Sequence, residues 1–186
     1  QNTIIGSLAG DALTDADYNV AIGIGALTAD TLGSRSVAIG AAALAAQNFT
    51  SATNSYNVAV GYDAGVSVTT GLQNVIIGGL AGDALTDADD NVAIGTVALT
   101  TDTQGSRSVA VGRGTLGAQN FTSSQKTYNT AVGYDAGAAI TTGVQNTLIG
   151  GLAGDAITDA DFNIAIGTGA LGANTVGSKS VAIGQG

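Results

Sequence analysis

Aspartate is the only acidic residue type in this chain, and it gathers once every 72 residues: Asp11, Asp15 and Asp17; Asp83, Asp87 and Asp89, with Asp90 beside them; Asp155, Asp159 and Asp161. Three carboxylates on one short turn offer the hard oxygen ligands that calcium takes. The spacing matches neither an EF-hand loop nor a glycine-rich calcium repeat. Aspartate is equally the residue a solvated turn selects, because its short carboxylate bonds nearby backbone amides. Calcium binding and turn capping are therefore both open readings of these nine residues, and no other cofactor is indicated.

Aromatic residues form the second group. Phe49 and Tyr56, then Phe121 and Tyr128, lie in two longer segments at positions 46–56 and 118–128, with Tyr62 and Tyr134 following closely. Exposed aromatics among hydroxyl and amide groups suit contact with a glycan or receptor; alternatively, the phenylalanines fold back and cover the protein. Asn48-Phe49-Thr50 and Asn120-Phe121-Thr122 also match the glycosylation sequon, which matters only in a secretory host. Arg35, Arg107 and Lys179 share one phase of the repeat, and one unit earlier stand Tyr18, Asp90 and Phe162. Stacked units would pair them as a cation–π contact, an ion pair and a second cation–π contact on the surface.

Catalytic chemistry has little to use. With no His and no Cys there is neither a catalytic triad nor a His/Cys metal site. The paired aspartates come with no aromatic-lined cleft, and the glycine-rich stretches lack a Walker lysine. A net charge of −9 argues against nucleic acid, whose phosphates require Lys and Arg. No apolar run is long enough to cross a membrane, and no basic leader precedes an apolar stretch. The reading is non-enzymatic.

The elements that position these residues repeat. Asn or Ser, three apolar residues and Gly recur, as in Asn19-Val20-Ala21-Ile22-Gly23 and Ser36-Val37-Ala38-Ile39-Gly40. The phrase glycines stand at 6, 23, 40, 61, 78, 95, 112, 133, 150, 167 and 184, so the steps are 17, 17, 21 and 17 within each 72-residue block. Such periodicity marks a solenoid. The first and third apolar positions are β-branched in every unit, which makes the phrase a strand. A second short apolar segment after each glycine, such as Gly25-Ala26-Leu27, predicts a second strand. The predicted fold is all-β: one parallel β-roll, a β-solenoid of about eleven 17- or 21-residue rungs over residues 1–186, with super-repeats starting near 2, 74 and 146.

The middle strand position is apolar throughout: Ile4, Ala21, Ala38, Ala59, Ile76, Ala93, Ala110, Ala131, Leu148, Ala165 and Ala182. A strand apolar on both faces is covered on both. With one face turned into the coil, the middle-position face is expected to pack against another copy of the chain. A thin coil with few large side chains needs that burial.

Ser36-Val37-Ala38-Ile39-Gly40, Ser108-Val109-Ala110-Val111-Gly112 and Ser180-Val181-Ala182-Ile183-Gly184 resemble the head repeat of YadA-like trimeric autotransporter adhesins. The longer rungs, such as that from Asn91 to Gly105, are similar to phage tail-fibre repeats. The resemblance implies a homotrimer of rolls forming a structural fibre segment, outside the cell on a bacterial surface or virion, that holds a recognition tip away from its anchor. The alternative is that the roll itself binds host glycans or a receptor through its aromatic loops. An ice- or mineral-binding solenoid would need a flat threonine ladder; Thr28 and Thr100 align, but Gly172 breaks that column. The chain begins in mid-phrase and ends just after one, without polar capping units, which suggests a piece of a longer fibre.

Overall fold

A computed structural model describes all 186 residues. The chain is an all-β parallel solenoid with no helix. Its phrases form one eleven-stranded sheet from β1 (Thr3–Ile5), β2 (Val20–Ile22), β4 (Val37–Ile39), β6 (Val58–Val60), β7 (Val75–Ile77), β8 (Val92–Ile94), β10 (Val109–Val111), β12 (Thr130–Val132), β13 (Thr147–Ile149), β14 (Ile164–Ile166) and β15 (Val181–Ile183). The outer positions stack like on like, Val75 on Val92 and Ile77 on Ile94, while at the centre Ile76 stacks on Ala93. The 21-residue rungs add two small parallel pairs, β3 (Gly33–Ser34) with β5 (Thr53–Asn54), and β9 (Gly105–Ser106) with β11 (Gln125–Lys126).

The expected second strand is absent, because its last residue is left-handed in every full rung. Leu27 (φ 53°), Leu44 (51°) and Leu99 (54°) hold the conformation that Gly10 (55°) and Gly82 (51°) hold in the matching places. That turn cannot be extended, yet rung-to-rung bonds continue through it, from Leu27 N to Ala43 O at 3.0 Å and from Gly82 N to Ala98 O at 2.9 Å.

The phrase glycine is required twice over. Gly78 has φ +135°, and a Cβ there would stand 2.6 Å from the Gly95 carbonyl of the next rung.

The core runs along the axis and its contents explain the 72-residue period. Where the turn carries Leu27, Leu44, Leu99 or Leu116, the strand centre is Ala. Where it carries Gly10, Gly82 or Gly154, the strand centre is Ile4, Ile76 or Leu148; at Gly65 and Gly137 the strand centres are Ala59 and Ala131, and the space is taken by Ile76 or Leu148 of the next rung together with Val68 or Ile140. A Cβ on Gly82 would lie 2.9 Å from Leu85 Cδ1 and 3.4 Å from Ile76 Cδ1. Large and small residues trade places across a narrow interior so that it stays filled.

This geometry corrects the expected interface. Ala21, Ala38, Ala59, Ile76, Ala93, Ala110, Ala131, Leu148 and Ala165 are fully buried by their own chain. Ile4 and Ala182 turn inward as well and keep some exposure because they stand in the outermost rungs. None of these eleven can form a contact between copies along the rod. The residues left half-buried or exposed are the β-branched first and third positions, such as Val20, Ile22, Val75 and Ile77.

Candidate functional site

Phrase-opening asparagines carry the inner polar seam. Asn74 Oδ1 accepts a hydrogen bond from Asn91 N at 3.0 Å, while Asn74 Nδ2 donates to Ala88 O at 2.8 Å. Asn91 repeats both bonds, to Ser108 N and Gly105 O, each at 2.8 Å. Asn163 is the exception: its Nδ2 is buried without a partner, and the matching Gly177 carbonyl accepts from Asn174.

Beside the apolar filling, a hydrogen-bond network links each wide rung to the rung before it. Asp30 is fully buried, and its Oδ1 accepts from Gly33 N at 3.0 Å and Phe49 N at 3.1 Å. Its Oδ2 accepts from Gln47 Nε2 at 2.6 Å. Gln47 Nε2 donates also to Ser36 Oγ, and Gln47 Oε1 accepts from Asn57 Nδ2 at 2.9 Å. One block later Asp102, Gln119, Ser108, Phe121 and Asn129 repeat every one of these bonds. The network anchors the wide loops from within. Phe49 (6% exposed) and Phe121 (9%) fold back against the rod and offer no surface to a ligand, whereas Tyr56 (49%) and Tyr128 (48%) stay exposed.

The aspartate triplets do not converge, and no three carboxylates gather anywhere in the rod. Each turn wraps around inward residues, Leu85 and Ala88 in the second block, which sends the flanking acids in different directions. Asp83 Oδ1 accepts from Thr100 Oγ1 at 2.6 Å, and Asp87 Oδ1 accepts from Thr86 Oγ1 at 3.1 Å. Asp89 bridges rungs, its carboxylate accepting from Leu72 N at 2.8 Å and its own amide donating to Ser106 Oγ at 2.9 Å. Asp161 does the same with Val144 and Ser178, Asp159 accepts from Thr158, and the Asp17 amide donates to Ser34 Oγ. The carboxylates of Asp11, Asp15 and Asp155 accept no hydrogen bond.

In the cationic column, Arg35 Cζ lies 5.2 Å from the Tyr18 ring and 5.9 Å from the Tyr56 ring. Arg107 pairs with Asp90 at 3.3 Å and donates to the Tyr128 hydroxyl at 2.8 Å. Those two partners, the phenol oxygen first and the carboxylate second, raise its pKa further. Lys179 makes no such contact with Phe162. Arg113 lies outside the sequence pattern: it pairs with Asp135 at 3.6 Å and stacks 5.5 Å from the Tyr134 ring. The adjacent Asp63 raises the pKa of Tyr62 above the phenol value, through hydrogen bonding first and charge second.

A threonine column does exist, though not through Thr28. It runs through Thr14, Thr31, Asn48, Thr69, Thr86, Thr103, Asn120, Thr141, Thr158 and Thr175. The same 17- and 21-residue steps counted from Thr14 would have found it. Its hydroxyls are turned to the stack: Thr14 donates to Thr31 O and Thr86 to Thr103 O, both at 3.0 Å.

The outer face of the eleven-stranded sheet is open to a partner. Two columns of Val, Ile and Thr run its whole length, and Ile77, Val132, Ile149, Ile164 and Ile166 on it are exposed. No pocket opens along the rod. No family model matches the chain, and no curated protein or solved structure matches it either.

Proposed function

We propose that this chain is a segment of a fibre, the shaft or head of a phage tail fibre or bacterial surface adhesin, in which three copies lie parallel. The work of such a segment is mechanical: it holds a recognition tip away from a virion or cell, and its rung-to-rung hydrogen bonds resist unfolding. The observation that carries this reading is the outer sheet face, an apolar strip that runs end to end and stays uncovered in the single chain. Eleven rungs give a strip roughly 50 Å long and, with the neighbouring column, about 15 Å wide. That approaches the ~800 Å² per partner typical of stable association, and extended apolar patches of this kind mark interaction surfaces. Closed cyclic symmetry lets every copy bury the same strip. The β-branched columns, rather than the middle positions, form the contact. Sedimentation equilibrium is expected to give a trimer at micromolar concentration; a monomer throughout that range would sink the reading.

A further inference from the structure

The outer Val/Ile columns bury area but cannot fix how copies align. Each rung presents nearly the same pair, so sliding one copy by a rung restores the same contacts. Register must come from residues that do not repeat evenly. They stand one position past each phrase glycine, in a column bordering the apolar strip that includes Ile24, Tyr62, Gly79, Arg113, Tyr134 and Gly151. Hydrogen bonds confirm the stacking: Leu80 N donates to Tyr62 O at 2.9 Å and Val97 N to Gly79 O at 3.1 Å.

Gly79 and Gly151 have no reason within their own chain to be glycine. Neither lies in the left-handed region. A Cβ on Gly79 would meet nothing within 4 Å, and one on Gly151 would meet only the Tyr134 carbonyl at 3.9 Å. Every other glycine is accounted for by positive φ or by closer contact. The gaps do not accommodate the preceding tyrosine of the same chain either, because no ring atom comes within 4 Å of either Cβ. In each case the rung before carries a protruding tyrosine, Tyr62 (62% exposed) or Tyr134 (54%). A protruding tyrosine and an open, side-chain-free stretch of backbone on the next rung thus occur together, twice, at the 72-residue period.

We propose that Tyr62 and Tyr134 of one copy seat against Gly79 and Gly151 of a neighbouring copy, and that these pairs set the axial register of assembly. The proposal rests on association of copies through the adjoining apolar strip. It adds the device that selects one alignment among many, as a single distinctive position does in coiled coils.

The chain has no cysteine, so single-cysteine variants give a clean test. Tyr62→Cys and Gly79→Cys chains are unfolded, mixed, refolded together and treated with diamide; a disulfide between the two variants can then form only between copies. Faster cross-linking of this mixture than of Tyr62→Cys with Thr96→Cys is expected. Equal rates, or products that mainly join two Tyr62→Cys chains to each other, would overturn the register device while leaving association standing. A wild-type protein that sediments as a monomer would overturn association itself. In parallel, Gly79→Leu with Gly151→Leu should leave the circular dichroism unchanged and weaken association about tenfold or more by placing a side chain where the neighbouring tyrosine would seat. Unchanged association would overturn the proposal even if cross-linking proved uninformative.

Discussion

The rung built on Ile76 and the rung built on Asp102 have the same strand, the same glycine and the same spacing to their neighbours, yet they are filled by opposite means. In the first, Ile76 and Leu85 close over Gly82, and the interior is hydrocarbon. In the second, Ala93 and Leu99 leave room beside them for Asp102, whose three accepted hydrogen bonds tie the turn to Gln119 and to the backbone of the next rung. A hydrocarbon interior relaxes in part around a lost or added group, so the cost follows the volume changed. A hydrogen-bonded interior has no such latitude, because a missing acceptor leaves donors buried without water. The second solution therefore positions the loop that follows it, and the wide rungs follow Asp30 and Asp102 in both blocks. A carboxyl group with its donors in place is used inside the rod where a wide loop must be held.

The largest difference between the two regions should appear when each loses its central side chain. Asp102→Ala strands the donors of Gly105, Phe121 and Gln119, and equilibrium unfolding in urea should show a loss of about 4 kcal/mol. Asp102→Asn should cost about half as much, since one oxygen still serves the two backbone amides while the new amide faces the Gln119 donor. Ile76→Ala opens a cavity in the hydrocarbon rung and should cost about 3 kcal/mol. If Asp102→Ala proves cheaper than Ile76→Ala, the network is a filler rather than a clamp.

A sharper test exchanges one packing pattern for another. Gly82→Leu alone overfills the space beside Ile76 and Leu85, and Ile76→Ala alone empties it. The pair copies the arrangement of Ala93 with Leu99, so it should recover roughly 1–2 kcal/mol relative to the sum of the single changes. Simple additivity in that double-mutant cycle would mean that the exchange seen along the chain is not a packing relation.

How far the sequence revealed this follows from the same packing. The strands and their register were legible, because β-branched residues at alternate positions favour an extended backbone and the glycine spacing fixes which rung meets which. The orientation of the strands was not. Val20 and Ile22 are β-branched because the strand is extended, whichever side they face, while Ala21 is small because Leu27 and its neighbours already fill the narrow interior. Size exchange between Ile76 and Gly82, against Ala93 and Leu99, was the available sign that the middle position faces inward. The turn at Leu27 was hidden for a different reason: leucine gives no warning of positive φ, though glycine at the equivalent Gly10, Gly82 and Gly154 did. The aspartates were visible as a cluster in sequence, but inward residues between them divide it in space. Phe49 and Phe121 were visible as candidates, and burial decided between the two readings.

The smallest expected effect separates the two blocks at their surface. Arg107 has both a carboxylate and a phenol oxygen within hydrogen-bonding reach, whereas Lys179, in the same column, contacts neither Phe162 nor an acid. Exposed pairs of this kind add little, because water and salt screen them. Arg107→Ala should therefore lower the melting midpoint slightly, and the loss should shrink as salt is raised, while Lys179→Ala should leave it unchanged. A salt-insensitive loss at Arg107 would mean that its stem matters through packing over the Tyr128 ring, 5.7 Å away, rather than through its charge. A comparable loss at Lys179 would mean that the column stabilises neighbouring rungs through shape alone, whatever cation occupies it.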